Sequence, residues 1–306
     1  MLVMHGLAQM GITKGAWVTP ACALSAVALW GLAFPLIQDG LVFFSPIMLG
    51  FLRFAFASAL MIVIIVLRYR LSTVVETVRK EWRPLLVLGA LYVTIPNIAQ
   101  NMGLEHGTSS VASVIQSSGP MMTLLFAALL LNERLTVRKG AGSALAMTGT
   151  VLLVAGGGLS LGDDAFVSNI LILASAASYG LAWVSAKRML ERNPPVLIIG
   201  LSLAFGTLLL GAVVPFEPGL DYEFSREALV NLAVLGFLCG AVSSLLYLYS
   251  LEREEVSKQA FFIYLMPLFA SVFAWVLREE TVAIWTAVCG LVIICGVAVA
   301  QTGSRR

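Results

Sequence analysis

The sequence predicts an all-α polytopic membrane protein in which ten transmembrane helices form two inverted five-helix repeats. Two observations carry this prediction. The 306-residue chain is 59% hydrophobic and only 12% charged, with a mean hydropathy of +0.93, and its two halves resemble each other. A soluble globular domain has about 25% charged residues. The composition therefore excludes a soluble globule and a disordered chain, and a net charge of only +2 argues against a nucleic-acid partner.

Apolar runs long enough to cross the roughly 30 Å hydrocarbon core of a bilayer recur along the whole chain. They predict helices at 17–38, 46–67, 84–103, 109–131, 137–157, 167–188, 195–215, 228–250, 257–277 and 282–301. Proline suits the first turn of a helix, where its missing N–H costs nothing. It is expected there at Pro20, Pro46, Pro84 and Pro195. The charged segments 79–83 and 252–255 are expected to separate neighbouring spans.

The distribution of Lys and Arg predicts the orientation of the chain. If the N-terminus and every even-numbered loop lie on one side, that side receives sixteen of the nineteen basic residues. Because cytoplasmic loops carry the excess of Lys and Arg, both termini are expected in the cytoplasm, with the protein in the plasma (inner) membrane. The first apolar run is too long for a signal peptide and is expected to remain as a span.

An internal repeat relates the two halves of the chain. Segment 30–34 (WGLAF) matches 179–183 (YGLAW) at an offset of 149 residues. Further matches at an offset of 147 are Leu104 with Leu251, Pro120 with Pro267, Glu133 with Glu280 and Gly149 with Gly296. The expected repeats are 1–160 and 161–306. Because each contains an odd number of spans, the second enters the membrane from the opposite face, as in many secondary transporters.

The motifs that carry this pattern are similar to those of a known family. They are Trp30-Gly31-x-x-Phe34-Pro35, Arg53-Phe54, the stretch from Leu104 through Ser113 and Pro120 to Glu133-Arg134-Leu135, and Gly142 with Gly149. The chain resembles the drug/metabolite transporter superfamily in its form with two EamA domains, most closely the bacterial exporters of aromatic amino acids. The second half has no counterpart of Pro35 or Arg53. The resemblance implies a central substrate cavity and export of small metabolites.

Polar and aromatic side chains inside the spans are candidates for lining such a cavity. Polar groups in hydrocarbon are costly unless they face a cavity or a partner, although small polar residues also mediate ordinary helix packing. The aromatic candidates lie in mid-span and are suited to stacking on a ring or holding an ammonium, but packing explains each one equally well. The candidates are Trp30, Thr94, Asn97, Gln100, Asn101, Ser113, Gln116, Ser117, Tyr179, Trp183, Ser243, Tyr247 and Tyr264.

Arg53 is the one charged residue that the sequence places deep inside a span. It is predicted either to extend outward to Asp39 in a structural pair, or to act in gating or in binding a carboxylate. Pro120 and Pro267 are predicted in mid-helix, as hinges or as static kinks. Glu133 and Glu280 are predicted to close two helices as capping or ion-pair residues, with a proton relay as the alternative.

The absence of carboxylates inside the predicted spans favours a neutral or zwitterionic substrate over a cation. The leading hypothesis is an exporter of small metabolites, most of all amino acids including aromatic ones, that works by alternating access. Alternatives are an exporter of other metabolites or drugs in the same fold, and a membrane receptor or scaffold. Enzyme and ATP-binding motifs are absent from the sequence, and neither a cofactor nor a metal site is expected. Proton coupling and the choice between monomer and homodimer stay open.

Overall fold

The protein is almost entirely helical in a computed structural model that describes residues 17–106, 115–116, 118–155, 163–278 and 284–302. Short π-helical or 3₁₀ segments join several helices end to end: Ala90–Thr94, Val234–Val242 and Phe261–Leu265. The α-helices are α1 (Val18–Gly40), α2 (Pro46–Arg68), α3 (Leu71–Gly89), α4 (Ile95–His106), α5 (Gly119–Leu131), α6 (Val137–Ala155), α7 (Asp163–Leu190), α8 (Pro195–Val213), α9 (Arg226–Ala233), α10 (Ser243–Arg253), α11 (Val256–Ala260), α12 (Met266–Arg278) and α13 (Ile284–Thr302).

The polytopic all-α class is confirmed, whereas the count of ten spans stays a prediction. Within the described ranges, seven helical segments are long and apolar enough to cross a membrane, and Gly119–Leu131 and Val288–Ala300 are shorter apolar helices. The start predicted for the third helix, at residue 84, was wrong. The segment 79–83, expected to separate two spans, lies inside α3, and Pro84 is therefore in the helix interior rather than in a first turn.

The reason for this difference is that α3 begins as an exposed polar helix before it becomes apolar. Lys80 pairs with Glu76 one turn earlier at 2.6 Å, a spacing that supports helices in water. A hydropathy pattern detects only the apolar part of such a helix.

Equivalent helices of the two halves pack against each other. Helix α8 lies on α2, where Ser58 Oγ and Thr207 Oγ1, 149 residues apart, are 2.8 Å from each other. Helix α13 lies on α6, and a Cβ added to Gly149 would be 3.1 Å from the carbonyl oxygen of Cys289. A Cβ added to Gly142 would be 2.6 Å from the carbonyl oxygen of Gly296. The offset of 147 maps Gly142 onto Cys289 and Gly149 onto Gly296. Exchanging the two halves therefore converts the contact between Gly142 and Gly296 into the contact between Cys289 and Gly149.

These contacts also give the direction of the symmetry axis. Moving forward along α6 from Gly142 to Gly149 means moving backward along α13 from Gly296 to Cys289, so the helices are antiparallel. A two-fold axis that exchanges antiparallel helices is perpendicular to them and thus lies in the membrane plane. The two halves are therefore inverted relative to each other.

One carboxylate fastens the start of α2. Glu217 accepts hydrogen bonds from the Ile47 and Met48 backbone N–H groups at 2.6 and 2.9 Å and from Ser45 Oγ at 2.8 Å. A negative group at a helix N-terminus is stabilised by the unpaired N–H groups and the helix dipole. Ser45 and Glu217 are both buried.

We expect Glu217→Gln to destabilise the protein by about 1.5–3 kcal/mol, the range for hydrogen bonds to a charged group. The amide has one acceptor oxygen where three donors converge. Thermal unfolding of the purified protein in detergent measures the effect, with the exposed Glu223→Gln as the matched control. Equal unfolding temperatures for the two variants would contradict this role.

Candidate functional site

A cavity lies between the two halves of the bundle, and the empty space between its lining atoms is about 690 Å³ including the part open to solvent. Both halves contribute to its wall. The lining residues are Trp30, Ala33, Phe34, Ile37, Arg53, Phe54, Tyr92, Gln100, Gln116, Gly119, Thr123, Tyr179, Gly180, Trp183, Cys239, Ile263 and Met266.

Four aromatic rings form one contiguous cluster at this cavity. Trp30 and Trp183 stack with ring centroids 5.6 Å apart, and Tyr247 lies against both, at 4.9 and 4.5 Å. Tyr92 contacts Trp183 at 4.8 Å, and its hydroxyl shares a 2.6 Å hydrogen bond with Ser244 Oγ. Tyr247 is fully buried behind the two tryptophans, whereas Trp30 is partly exposed at the cavity wall. Trp30, Trp183 and Tyr92 are the members of this cluster that line the cavity, and they give its wall an aromatic character.

Polar groups at the cavity are few. Arg53 is only 9% exposed, its Nη1 has no hydrogen-bond partner among the described residues, and its guanidinium carbon is 4.7 Å from the centre of the Phe54 ring. Gln116 is 6% exposed, and its Oε1 has no partner in that part of the chain either. Gln100, Thr123 and the hydroxyl-bearing Tyr92 and Tyr179 also belong to the lining, with the Thr123 hydroxyl donating to the Gly119 carbonyl at 2.9 Å.

The position of Arg53 differs from the outward one considered for it. The side chain lines the cavity and is buried, while Asp39 lies at the exposed end of α1, where it lines a surface depression together with Arg226. Arg53 is seven residues into α2, roughly 10 Å along the helix axis.

Several predicted cavity residues lie in helix contacts instead. Each has a polar atom that bonds backbone or a neighbouring hydroxyl, whereas Asn97 Oδ1 and Asn101 Oδ1 have no partner among the described residues. The hydrogen bonds are Thr94 Oγ1 to Gly206 O (3.0 Å), Asn97 Nδ2 to Val93 O (2.6 Å), Asn101 Nδ2 to Pro46 O (2.8 Å), Ser243 Oγ to Cys239 O, and Tyr264 OH with Ser143 Oγ (2.6 Å). Ser113 and Ser117 lie outside the described residues.

The sequence interpretation also missed part of the lining. Tyr92 is a mid-span aromatic of the same type as those selected. Ala33, Phe34 and Ile37 lie on the same face of α1 as Trp30, because residues three, four and seven positions apart share a helix face. Their spacing from Trp30 could have identified these three residues as cavity-lining from the sequence.

Neither of the two prolines lies in the middle of a continuous helix. Pro120 is the second residue of α5, and Pro267 is the second residue of α12, directly after the 3₁₀ segment Phe261–Leu265. Because proline has no N–H, it fits the first turn of a helix better than the interior. Their role as hinges stays a prediction.

Ionic and capping contacts join the two halves at the end of the bundle that holds the start of α1. Glu133 accepts from the backbone N–H groups of Val256 (2.8 Å) and Ser257 (3.2 Å) and from Ser257 Oγ. The buried Lys139 Nζ lies 2.7 Å from Glu255 Oε2, 2.8 Å from Ser257 Oγ and 4.0 Å from Glu133 Oε2. We call Glu133, Lys139, Glu255 and Ser257 the Glu133 cluster. The bonds from the Val256 and Ser257 N–H groups to Glu133 cap the start of α11. Glu280 lies outside the described residues.

The same end carries a second link. Lys187 Nζ, near the end of α7, donates to the carbonyls of Leu251 at 2.6 Å and Glu254 at 2.7 Å, at the end of α10. Lysine often bonds the unpaired last carbonyls of a helix in this way. Ser250 Oγ donates to Thr19 O at 2.9 Å and so attaches α1 to the same region.

A cavity at the interface of two inverted helical repeats is the architecture of a secondary transporter. A model of the EamA-like transporter family matches the chain over residues 18–155 and again over 167–302. The chain belongs to the EamA-like transporter family. This EamA protein is therefore a multi-pass membrane transporter, within the drug/metabolite transporter superfamily.

Relatives of this EamA protein cover nearly its whole length. An "Uncharacterized transporter" of Archaeoglobus fulgidus is 28% identical over 88% of this chain and 93% of its own. A "Probable terminal-alkyne amino-acid exporter" of Streptantibioticus cattleyicolor is 30% identical over 94% of this chain and 93% of its own. A solved crystal structure, 21% identical, covers 95% of this chain and 99% of its own with a TM-score of 0.78, which supports the fold.

Proposed function

We propose that this transporter exports amino acids, including aromatic ones, across the plasma membrane by alternating access. The observation that carries the proposal is the cavity between the halves, whose lining includes the Trp30 and Trp183 rings, two neutral amides and one guanidinium. Rings of this kind stack well on an aromatic side chain. The similarity to a relative named as an amino-acid exporter supports the same substrate class.

The orientation in this proposal places both termini in the cytoplasm. Sixteen of the nineteen basic residues then lie on the cytoplasmic side, in agreement with the positive-inside rule. The Glu133 cluster and Lys187 are then on the cytoplasmic side, and Glu217 is on the outer side.

Alternating access in this proposal means that the two halves separate first at one end of the cavity and then at the other. The contacts of Glu133 with Val256 and Ser257 join the end of α5 to the start of α11, so they hold the cytoplasmic end together. Opening toward the cytoplasm requires these contacts to break, and closing on the outer side accompanies it. Loaded and empty carriers would both make the transition in facilitated diffusion, whereas coupling to protons would add a pH dependence.

Transport by purified protein in liposomes tests this function. We expect efflux of labelled phenylalanine, weaker efflux of threonine, and no efflux of a tetraphenylphosphonium cation beyond its passive leak from protein-free liposomes. Repeating each assay with an imposed pH gradient distinguishes proton antiport from facilitated diffusion. Transport of the cation alone would contradict the proposal.

We expect Trp30→Leu to weaken phenylalanine binding about two- to tenfold, because a stacking contact contributes about 0.5–1.5 kcal/mol. Threonine has no ring, so its binding should change less than twofold. Equilibrium binding to protein in nanodiscs measures both values. Trp82→Leu, which changes an exposed tryptophan of α3, is the matched control. Equal losses for phenylalanine and threonine would contradict the stacking role.

A further inference from the structure

The cavity contains one buried donor and one buried acceptor that have no partner in the described part of the protein. Arg53 contributes Nη1 and Gln116 contributes Oε1. A buried polar atom without a hydrogen bond costs free energy, and a buried cation costs more. Two such atoms in one cavity are a reason to look for a ligand that pairs with both.

The described surroundings of Arg53 contain no carboxylate that neutralises its charge. The cavity-lining residues within the described ranges include no aspartate or glutamate, and the groups close to the guanidinium are the Phe54 ring, Tyr92, Tyr179 and Cys239. A planar guanidinium in such a site binds a carboxylate strongly, often through two parallel hydrogen bonds. Gln116 Oε1 is an acceptor only, which suits an ammonium N–H.

The internal repeat argues against a purely structural role for these two side chains. At the offset of 149 the counterpart of Arg53 is Ser202, and at the offset of 147 the counterpart of Gln116 is Ile263. Ile263 lines the same cavity from the other half, so an apolar residue satisfies the packing at that symmetric position. The polar pair therefore exists in one half only, and it defines one site with one ligand orientation.

We propose that Arg53 binds the carboxylate of an α-amino acid and that the Gln116 amide oxygen accepts a hydrogen bond from its ammonium. The ligand side chain then lies against the Trp30–Trp183 stack, where the second half contributes Trp183. The substrate must carry both charged groups, and it connects the two halves when it is bound. This inference rests on the proposed function, because it specifies which groups hold the amino acid.

A panel of three ligands tests the inference on the wild-type protein in nanodiscs. Phenylalanine carries both groups, phenethylamine lacks the carboxylate, and 3-phenylpropionate lacks the ammonium. We expect each single-group ligand to bind at least about tenfold more weakly than phenylalanine, as for loss of a hydrogen bond to a charged group. Equal binding of phenylalanine and phenethylamine would overturn the role of Arg53, and equal binding of phenylalanine and 3-phenylpropionate that of Gln116.

Substitutions of the two residues should separate their roles. Arg53→Gln should weaken phenylalanine and 3-phenylpropionate at least about tenfold and leave phenethylamine unchanged. Arg53→Lys, which keeps the charge, should recover part of that loss. Gln116→Met should weaken phenylalanine and phenethylamine and leave 3-phenylpropionate unchanged. Arg68→Gln, at the exposed end of α2, is the control for loss of a positive charge on the same helix.

The unchanged ligand in each case shows that the variant is folded. If Arg53→Gln is not obtained folded, Arg53→Lys and the wild-type panel decide the result. An Arg53→Gln protein that binds phenylalanine as the wild type does, or that loses all three ligands equally, overturns the inference. If wild-type protein neither binds nor transports any amino acid, the proposed function fails; if it transports phenylalanine without these preferences, only the present inference fails.

Discussion

Gly142→Ala is expected to destabilise the protein by about 3 kcal/mol, the upper part of the usual range for overpacking. The added Cβ would lie against the backbone nitrogen of Ala300 and 2.6 Å from the carbonyl oxygen of Gly296. Backbone atoms of a packed helix cannot rotate away as the end of a side chain can, so α6 and α13 would have to separate. Small residues at such contacts allow membrane helices to approach closely. Thermal unfolding in detergent, followed by size-exclusion chromatography, measures the loss.

Gly140→Ala is the matched control, two residues earlier in the same helix. A Cβ at Gly140 would meet nothing within 4 Å, so alanine should be neutral or stabilise the helix by up to about 1 kcal/mol through its higher helix propensity. Both variants add one methyl group to α6, and they differ only in what that methyl group meets. If the two proteins unfold at the same temperature, the close contact of α6 and α13 is not important for stability.

The helices were predictable from sequence wherever an apolar run coincides with a helix. Helix α2 was predicted at 46–67 and is Pro46–Arg68, because its length is set by the bilayer and its start by Pro46. Helix α3 was predicted only in part, since its first half is exposed and polar and carries no membrane signal. The repeat predicted the inversion from an expected odd number of spans per half, and the antiparallel contact of α6 with α13 agrees with it.

The cavity was predictable where the repeat itself marks it. Trp30 with Tyr179, and Phe34 with Trp183, are equivalent positions at the offset of 149, and all four line the cavity. A symmetric cavity takes its wall from equivalent positions, so aromatic residues there were a strong signal.

Polar character alone was a weaker signal. Thr94 and Asn101 are polar and buried like Gln116, but they bond the backbone of neighbouring helices. A polar side chain avoids the cost of hydrocarbon equally well in either place. Only the packing of α2, α4 and α8 decides between them, and the sequence does not specify how those helices rotate against each other.

Glu133→Gln is expected to favour the state that is open at the end of the bundle with the Glu133 cluster. The carboxylate accepts hydrogen bonds from Val256, from Ser257 and from the Ser257 hydroxyl, and it lies 4.0 Å from the buried Lys139. Neutralising it weakens these bonds by about 1.5–3 kcal/mol, which would raise the open fraction at least about tenfold while that fraction is small. Cys22 is a natural reporter, because it is buried near the start of α1 at the same end.

The measurement is the alkylation rate of Cys22 in a protein whose other three cysteines, Cys239, Cys289 and Cys295, are replaced by alanine. We expect Glu133→Gln to accelerate labelling at least about tenfold, in proportion to the open fraction, while Glu76→Gln, which removes an exposed carboxylate paired with Lys80, leaves the rate unchanged. Alternating access and a general loosening of the fold predict different results at the opposite end of the bundle. In alternating access, opening at one end requires closing at the other. A cysteine placed at the exposed Tyr222, on the opposite end, should therefore react more slowly in Glu133→Gln. Faster labelling at both ends would mean that Glu133 stabilises the fold without acting as a gate.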